Sequence, residues 1–314
     1  MSKIAFVFPG QGSQTVGMGK ELADKYSEVA GYFKKADEKL GTDLSSIIFE
    51  GPQDELTQTT NAQPALLTTS VAILERLKSE GIQADYTAGH SLGEYSALVA
   101  AGSLSFEDAV YAVRKRGELM EEAVPSGEGT MAAVLGMDRE ALKEVTDGVT
   151  EEGYPVGLAN LNCPGQIVIS GTVKGVEAAS ERAKEAGAKR VIPLQVSGPF
   201  HSQLMKPAAE KFIEILDSIQ ISNADVPVIA NVTALPVSEA EEIKRLLIEQ
   251  LYSPVLWEDT VEKLLDLGVE TFIEIGSGKV LSGLIKKVNR RVKTFAVQDE
   301  ASLTEVIEKL KEEA

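Results

Sequence analysis

One short segment dictates the geometry of the chain around it: Gly89-His90-Ser91-Leu92-Gly93, of the form G-x-S-x-G. Before it lies Ala84-Asp85-Tyr86-Thr87-Ala88, which reads as a short buried strand. After it, Glu94 to Ala101 is rich in helix formers. A strand that turns sharply into a helix holds the serine in a strained conformation, so the residues two places away on either side have to be small. Gly89 and Gly93 meet that condition. The pattern predicts strand, elbow and helix, with Ser91 raised as a nucleophile. The helix N-terminus beneath it favours negative charge, and the Leu92 N–H can point at an oxyanion. Glycine and serine are common, so the flanks, rather than the five residues alone, favour an elbow over a plain glycine-rich turn.

The rest of the chain is bounded by simple quantities. Its 314 residues, 43% hydrophobic and 25% charged, suit a folded α/β core with an insertion or a second domain. A net charge of −17 disfavours nucleic acid and anionic membrane as partners. The single cysteine, Cys163, allows no internal disulfide. A reducing, cytoplasmic location is expected, because the apolar run Ile4 to Phe8 is too short for a signal peptide and no stretch approaches a membrane span.

Ile4-Ala5-Phe6-Val7-Phe8 has the continuous apolar pattern of a buried parallel strand. Pro9-Gly10-Gln11-Gly12-Ser13-Gln14 breaks it. The spacing of Gly10, Gly12, Gly17 and Gly19 fits neither the dinucleotide fingerprint nor the P-loop. The loop can instead bring backbone donors beside the elbow, as a separate strand–helix loop does in α/β hydrolases. Residues 21–39 and 64–78 read as helices, the second with Gln63 just ahead of a proline suited to a first helical position. A further helix starts near Ser105, an N-cap with Asp108 three residues on. Its apolar stripe runs through Phe106, Ala109, Val110, Val113, Gly117 and Met120 and leaves Arg116 on the flank. Arg116 is a candidate anion clamp, although spacing alone favours a snorkelling or surface-paired arginine.

Residues 126–196 change character. Strands over 130–137, 154–161, 166–170 and 189–195, with helices over 138–146 and 173–186, give the order β-α-β-β-α-β, a ferredoxin-like signature. Ser126-Gly127-Glu128-Gly129 leads into this unit and Ser197-Gly198-Pro199 leads out. The expected organisation is therefore a large domain of residues 1–125 and 197–314 interrupted by a small domain of residues 126–196. Strands over 226–232, 271–275 and 294–297 alternate with helices in the last third, so the large domain should hold a mostly parallel sheet covered on both faces. Gly276-Ser277-Gly278-Lys279 resembles part of a P-loop, but Val280 stands where serine or threonine is required.

A serine nucleophile needs a base at neutral pH. The chain has two histidines. His90 lies in the elbow, on the opposite side of the turn from the nucleophile. His201, in Phe200-His201-Ser202, is the candidate base.

Taken together, Phe8-Pro9-Gly10-Gln11-Gly12-Ser13-Gln14, Gly89-His90-Ser91-Leu92-Gly93-Glu94-Tyr95, Arg116 and Gly198-Pro199-Phe200-His201-Ser202 resemble the malonyl-CoA:acyl carrier protein transacylases of bacterial fatty-acid synthesis. The match runs in order over essentially the whole chain. The resemblance implies an α/β-hydrolase-like large domain with a ferredoxin-like small one. It implies Ser91 as nucleophile and His201 as base, with the histidine oriented by a backbone carbonyl near Gln250 in place of a triad acid. It also implies an oxyanion hole from the N–H groups of Gln11 and Leu92. Arg116 becomes the ligand of the malonyl carboxylate, reversing the reading from spacing. Gln63, Asn160 and Asn162 match positions near the cleft, and Phe200 resembles the malonyl-selective members. Two departures, Pro199 for a common alanine and Cys163 for a common serine, remove no functional group.

The expected activity is malonyl transfer from coenzyme A to acyl carrier protein, with no metal or redox cofactor, by a monomer. A serine thioesterase on the same elbow is the alternative, and a non-catalytic nucleotide-binding module a more distant one. Carrier proteins of this kind are acidic, as is this chain, so a local basic patch is needed. Lys286, Lys287, Arg290, Arg291 and Lys293, with Lys189 and Arg190, are the candidates.

Overall fold

The computed structural model describes residues 3–125 and 127–313. Ser126, part of the expected lead into the small domain, lies outside them. Among the described residues, ten strands form two sheets. The larger is built from β1 (Lys3–Phe8), β2 (Tyr86–Gly89), β7 (Val228–Ile229), β8 (Pro236–Val237), β9 (Val269–Ile275) and β10 (Lys293–Val297), in the order β10-β9-β1-β2-β7-β8. All neighbours pair in parallel except β7 and β8, which are antiparallel. The alternation of side chains along β1 explains why the sheet sits in the middle of the domain. Phe6 and Phe8 enter one hydrophobic cluster, and Ala5 and Val7 enter another on the opposite face.

The second sheet contains β3 (Gly129–Leu135), β4 (Val156–Cys163), β5 (Gln166–Thr172) and β6 (Arg190–Pro193), in the order β4-β5-β3-β6, with every pair antiparallel. Helices Arg139–Glu151 and Val173–Glu185 cover it, and Asp138 and Thr172 cap their N-termini. The layer has its own core, including Val134, Leu142, Val149, Ile169 and Val176. It is tied to the larger sheet's side of the molecule by paired backbone bonds, Leu161 N–H to Val255 O (2.9 Å) and Val255 N–H to Ala159 O (2.8 Å).

Three expectations change. Residues 21–39 split into helices Lys20–Lys25 and Ser27–Leu40 around the extended Tyr26. The strand expected over 226–232 is confined to Val228–Ile229. The helix expected to begin at Pro64 begins at Thr59 and runs to Ser79. A proline inside a helix leaves the carbonyl four residues earlier without its N–H partner. That carbonyl, Thr60 O, accepts instead from Arg114 Nη1 at 2.6 Å. The partly buried cross-helix arginine is what makes an internal proline tolerable here.

Candidate active site

The elbow is set by contact distances. A β-carbon at Gly89 would lie 1.9 Å from the Gly93 carbonyl oxygen, and one at Gly93 would lie 2.1 Å from the Phe8 oxygen. Only glycine fits either position. Ser91 between them has φ +51°, in the left-handed region. The strain is held by neighbours: Asn231 Oδ1 accepts from Ser91 N–H at 2.7 Å, and Asn231 Nδ2 donates to Gly89 O at 2.7 Å.

Ser91 Oγ lies 2.8 Å from His201 Nε2, and His201 Nδ1 lies 2.8 Å from the Gln250 carbonyl oxygen. A carbonyl only accepts, so Nδ1 carries the proton and Nε2 presents a lone pair to the serine hydroxyl. His201 is itself at φ +57° and 4% exposed. Burial, and then the positive charge of Arg116, hold its pKa down at about 3. The ring is neutral and ready to take a proton. His90 is also held below the ordinary histidine value by burial. Its Nε2 meets Asn162 Oδ1 at 2.8 Å and its ring lies against Trp257, so it is pinned away from the hydroxyl.

Helix Phe106–Glu122 begins at the Ser105 cap, whose hydroxyl accepts from Asp108 N–H at 3.0 Å. It carries Arg116 into the site at 1% exposure. Burial this deep excludes a snorkelling or surface-paired arginine. Nη1 donates to Gln63 Oε1 (2.9 Å); Nη2 donates to Gln250 Oε1 (2.9 Å) and Ser91 Oγ (3.1 Å). The guanidinium also lies over the Tyr95 ring, 5.6 Å from its centroid. Among the described residues no carboxylate lies within ion-pair distance of it.

Ser91, His201 and Arg116 open onto a cleft of about 560 Å³, with Gln11, Asn160 and Phe200 also on its walls. Met131 of β3 and Leu194 and Val196, just after β6, also line it, so the cleft lies between the two sheets. Among the described residues, the backbone N–H groups of Gln11 and Leu92 donate to no protein acceptor. Gln63 and Gln250 are wholly buried behind Arg116. Asn162 faces His90 instead of the cleft. Lys286, Lys287, Arg290 and Arg291 do not line it either. Lys286 Nζ donates to the Val292 carbonyl, closing its own helix end, and Lys287 Nζ donates to Gln166 Oε1 at 2.9 Å.

Sequence reasoning missed two members of the site, Asn231 and Glu94. Glu94 is 3% exposed, and its Oε2 accepts from Gln250 Nε2 (2.7 Å) and Asn231 N–H (3.2 Å). Burial raises its pKa to about 7, against the opposing pull of those hydrogen bonds.

A serine hydroxyl on a neutral imidazole, free N–H donors at an elbow and a buried cation in one cleft define a site equipped for acyl transfer through a serine ester. The family described as "Acyl transferase domain" matches residues 5–313. A malonyl CoA-acyl carrier protein transacylase of Bacillus subtilis (strain 168) is 69% identical over 313 residues, covering 100% of this chain and 99% of that protein. An acyl carrier protein S-malonyltransferase from Vibrio cholerae superposes with TM-score 0.95 at 47% identity, over 97% of this chain and 100% of that one. A malonyl-transacylase in complex with its type II PKS acyl-carrier protein does so with TM-score 0.95 at 44% identity, over 98% and 100%. The chain belongs to the acyl transferase domain family, among its malonyl CoA-acyl carrier protein transacylases.

Proposed function

We propose that the chain moves a malonyl group from coenzyme A to the phosphopantetheine thiol of acyl carrier protein through a malonyl ester on Ser91. The observation that carries the reading is Arg116. A buried guanidinium 3.1 Å from the nucleophile, with no carboxylate at ion-pair distance among the described residues, suits an acyl group that ends in a carboxylate.

His201 Nε2 takes the proton of Ser91 as Oγ bonds to the thioester carbon. The oxyanion that forms is met by the N–H groups of Leu92 and Gln11. Collapse breaks the C–S bond, and the departing thiolate takes the proton from His201. In the second half the carrier thiol gives its proton to His201 and attacks the ester, and Ser91 Oγ recovers a proton as it leaves. The Gln250 carbonyl stabilises the imidazolium at Nδ1. Gln63 steadies Arg116, Asn160 and Phe200 shape the acyl end of the cleft, and Asn162 holds His90 aside.

The large unit reads as α/β-hydrolase-like, residues 1–125 and 197–314, with an inserted ferredoxin-like unit at 126–196. The strand order β4-β5-β3-β6, all antiparallel, supports the second description. The partners are malonyl-CoA and acyl carrier protein, met by a single copy of the chain in the cytoplasm. The exposed heads of Lys287, Arg290 and Arg291 are the charges offered to the acidic carrier. Lys286 has a local role at its helix end.

Intact mass after mixing with malonyl-CoA tests the reading. A gain of roughly 86 Da, a malonyl group replacing one hydrogen, lost on adding a carrier thiol and stable in buffer alone, is the expected result. An adduct that decays in buffer without a thiol would make the chain a thioesterase.

A further inference from the structure

Glu94 is the second residue of the elbow helix, Gly93–Ala100, and its carboxylate is turned inward beneath the nucleophile. It touches neither Ser91 Oγ nor the imidazole, yet it grips the residue that serves both. Gln250 ties the site together through both its backbone and its amide, which also reaches Asn231 Oδ1 at 3.4 Å. Its carbonyl accepts from His201 Nδ1 (2.8 Å), and its Oε1 accepts from Arg116 Nη2 (2.9 Å). Its Nε2 donates to the Ser91 carbonyl (3.0 Å) and to Glu94 Oε2 (2.7 Å).

An amide's two ends are alike in shape and opposite in hydrogen bonding. Were the Gln250 amide turned over, Nε2 would meet Arg116 Nη2, donor against donor, in a fully buried place. A carboxylate accepts and does not donate, so it selects which end of that amide it faces. The shortest bond the Gln250 amide makes is the one to Glu94. The same Oε2 also accepts from Asn231 N–H, whose side chain holds the strained Ser91 backbone.

We propose that Glu94 is a positioning residue for acyl-group recognition: it fixes the Gln250 amide so that Oε1 faces Arg116, and so holds the guanidinium fork where the malonyl carboxylate is to sit. The inference rests on the malonyl-transfer reading of the site. Its requirement is an acceptor oxygen, not a charge, because a neutral carboxyl or amide oxygen accepts from the same two donors. Glu94→Gln therefore keeps the function, whereas Glu94→Met, similar in shape but without an oxygen, loses it.

Single-turnover acylation of Ser91, followed by quenched intact mass across malonyl-CoA concentrations, separates the possibilities. Amplitude reports the folded fraction. Half-saturating concentration reports the arginine fork. Glu94→Gln should match the parent within about 3-fold, and Glu94→Met should raise the half-saturating concentration on the order of 10-fold, the scale of a lost hydrogen bond to a charged group. Glu94→Ala, assayed alongside, should shift in the same direction and guards against poor folding of the methionine variant. The proposal falls if the oxygen-free variants lose amplitude alone, if they saturate as the parent does, or if Glu94→Gln shifts as far as they do. No adduct on the parent protein would instead sink the malonyl-transfer reading.

Discussion

Two crossings of the large sheet look alike in sequence and do opposite things. Both run from a parallel strand through a serine flanked by glycines into a helix: β2 through Gly89–Gly93, and β9 through Gly276-Ser277-Gly278 into helix Val280–Val288. At the second, the helix N-terminus is already occupied. Glu274, wholly buried in β9, accepts from Leu281 N–H (3.0 Å) and Ser282 N–H (2.7 Å). Among the described residues, the one hydrogen-bond partner of Ser277 Oγ is Thr15 Oγ1 at 3.3 Å. At the first, the nearby carboxylate, Glu94, is turned onto the Gln250 side-chain amide and the Asn231 backbone N–H, and among the described residues the Leu92 N–H has no acceptor. A helix N-terminus attracts anions only while its N–H groups are unspent. The protein's own carboxylate takes the place at Gly276–Lys279 that a phosphate would need, which is a stronger objection to a P-loop there than the identity of Val280.

The contrast can be broken by mutation. The largest effect expected is at Ser91: Ser91→Ala should abolish the malonyl adduct, while Ser277→Ala should acylate within about 2-fold of the parent, as read by intact mass. His201→Ala should slow both half-reactions by at least about 10²-fold, the low end for loss of a general base. A defect confined to the carrier-protein half would argue against one base serving both. Glu274→Leu should lower stability by about 1–3 kcal/mol, since a buried and a partly buried N–H group lose their acceptor, and leave the acylation rate of the folded fraction unchanged. Chemical denaturation and single-turnover rates on one preparation check this.

The pH dependence sharpens the same comparison. The base works only when neutral. A histidine held at about 3 stays neutral far below the ordinary value, so its acid limb moves down. In the Glu94→Gln background, which removes the other nearby group titrating close to neutrality, the acylation rate should show no histidine step between about pH 8 and 5. A limb near 6.5 would mean that His201 is more exposed to water than its 4% suggests. The smallest effect is expected at the basic patch. Arg290 and Arg291 changed to Glu should weaken carrier-protein transfer a few-fold, at low salt only, with acylation from malonyl-CoA changed much less.

The elbow was legible because its chemistry is local: five residues and two flanks contain the whole constraint. His201 was legible by elimination, with two histidines and one poorly placed. The environment of Arg116 was not legible from spacing, because its burial is created by Gln63 and Gln250, 53 and 134 residues away. Periodicity places a side chain on a helix flank and is silent about what packs there. Glu94 passed for a helix former in the first turn, and Asn231 for the end of a strand, since nothing in either neighbourhood announces a buried amide opposite. Pro64 misled for a related reason. The propensity for a first helical position is real, but Arg114 of another helix satisfies the carbonyl that an internal proline leaves bare.

The cation beside the imidazole has a consequence for selectivity. After burial, the positive charge of Arg116 is what most disfavours a second positive charge on His201. An acyl group bearing a carboxylate would cancel that field as it docks, and the histidine would gain basicity at the moment the thioester reaches the serine. Under the proposed roles, the incoming group brings part of its own activation. A thioester with a neutral tail would leave that field in place and forgo the gain, so discrimination would lie in the rate of bond making as well as in the strength of binding.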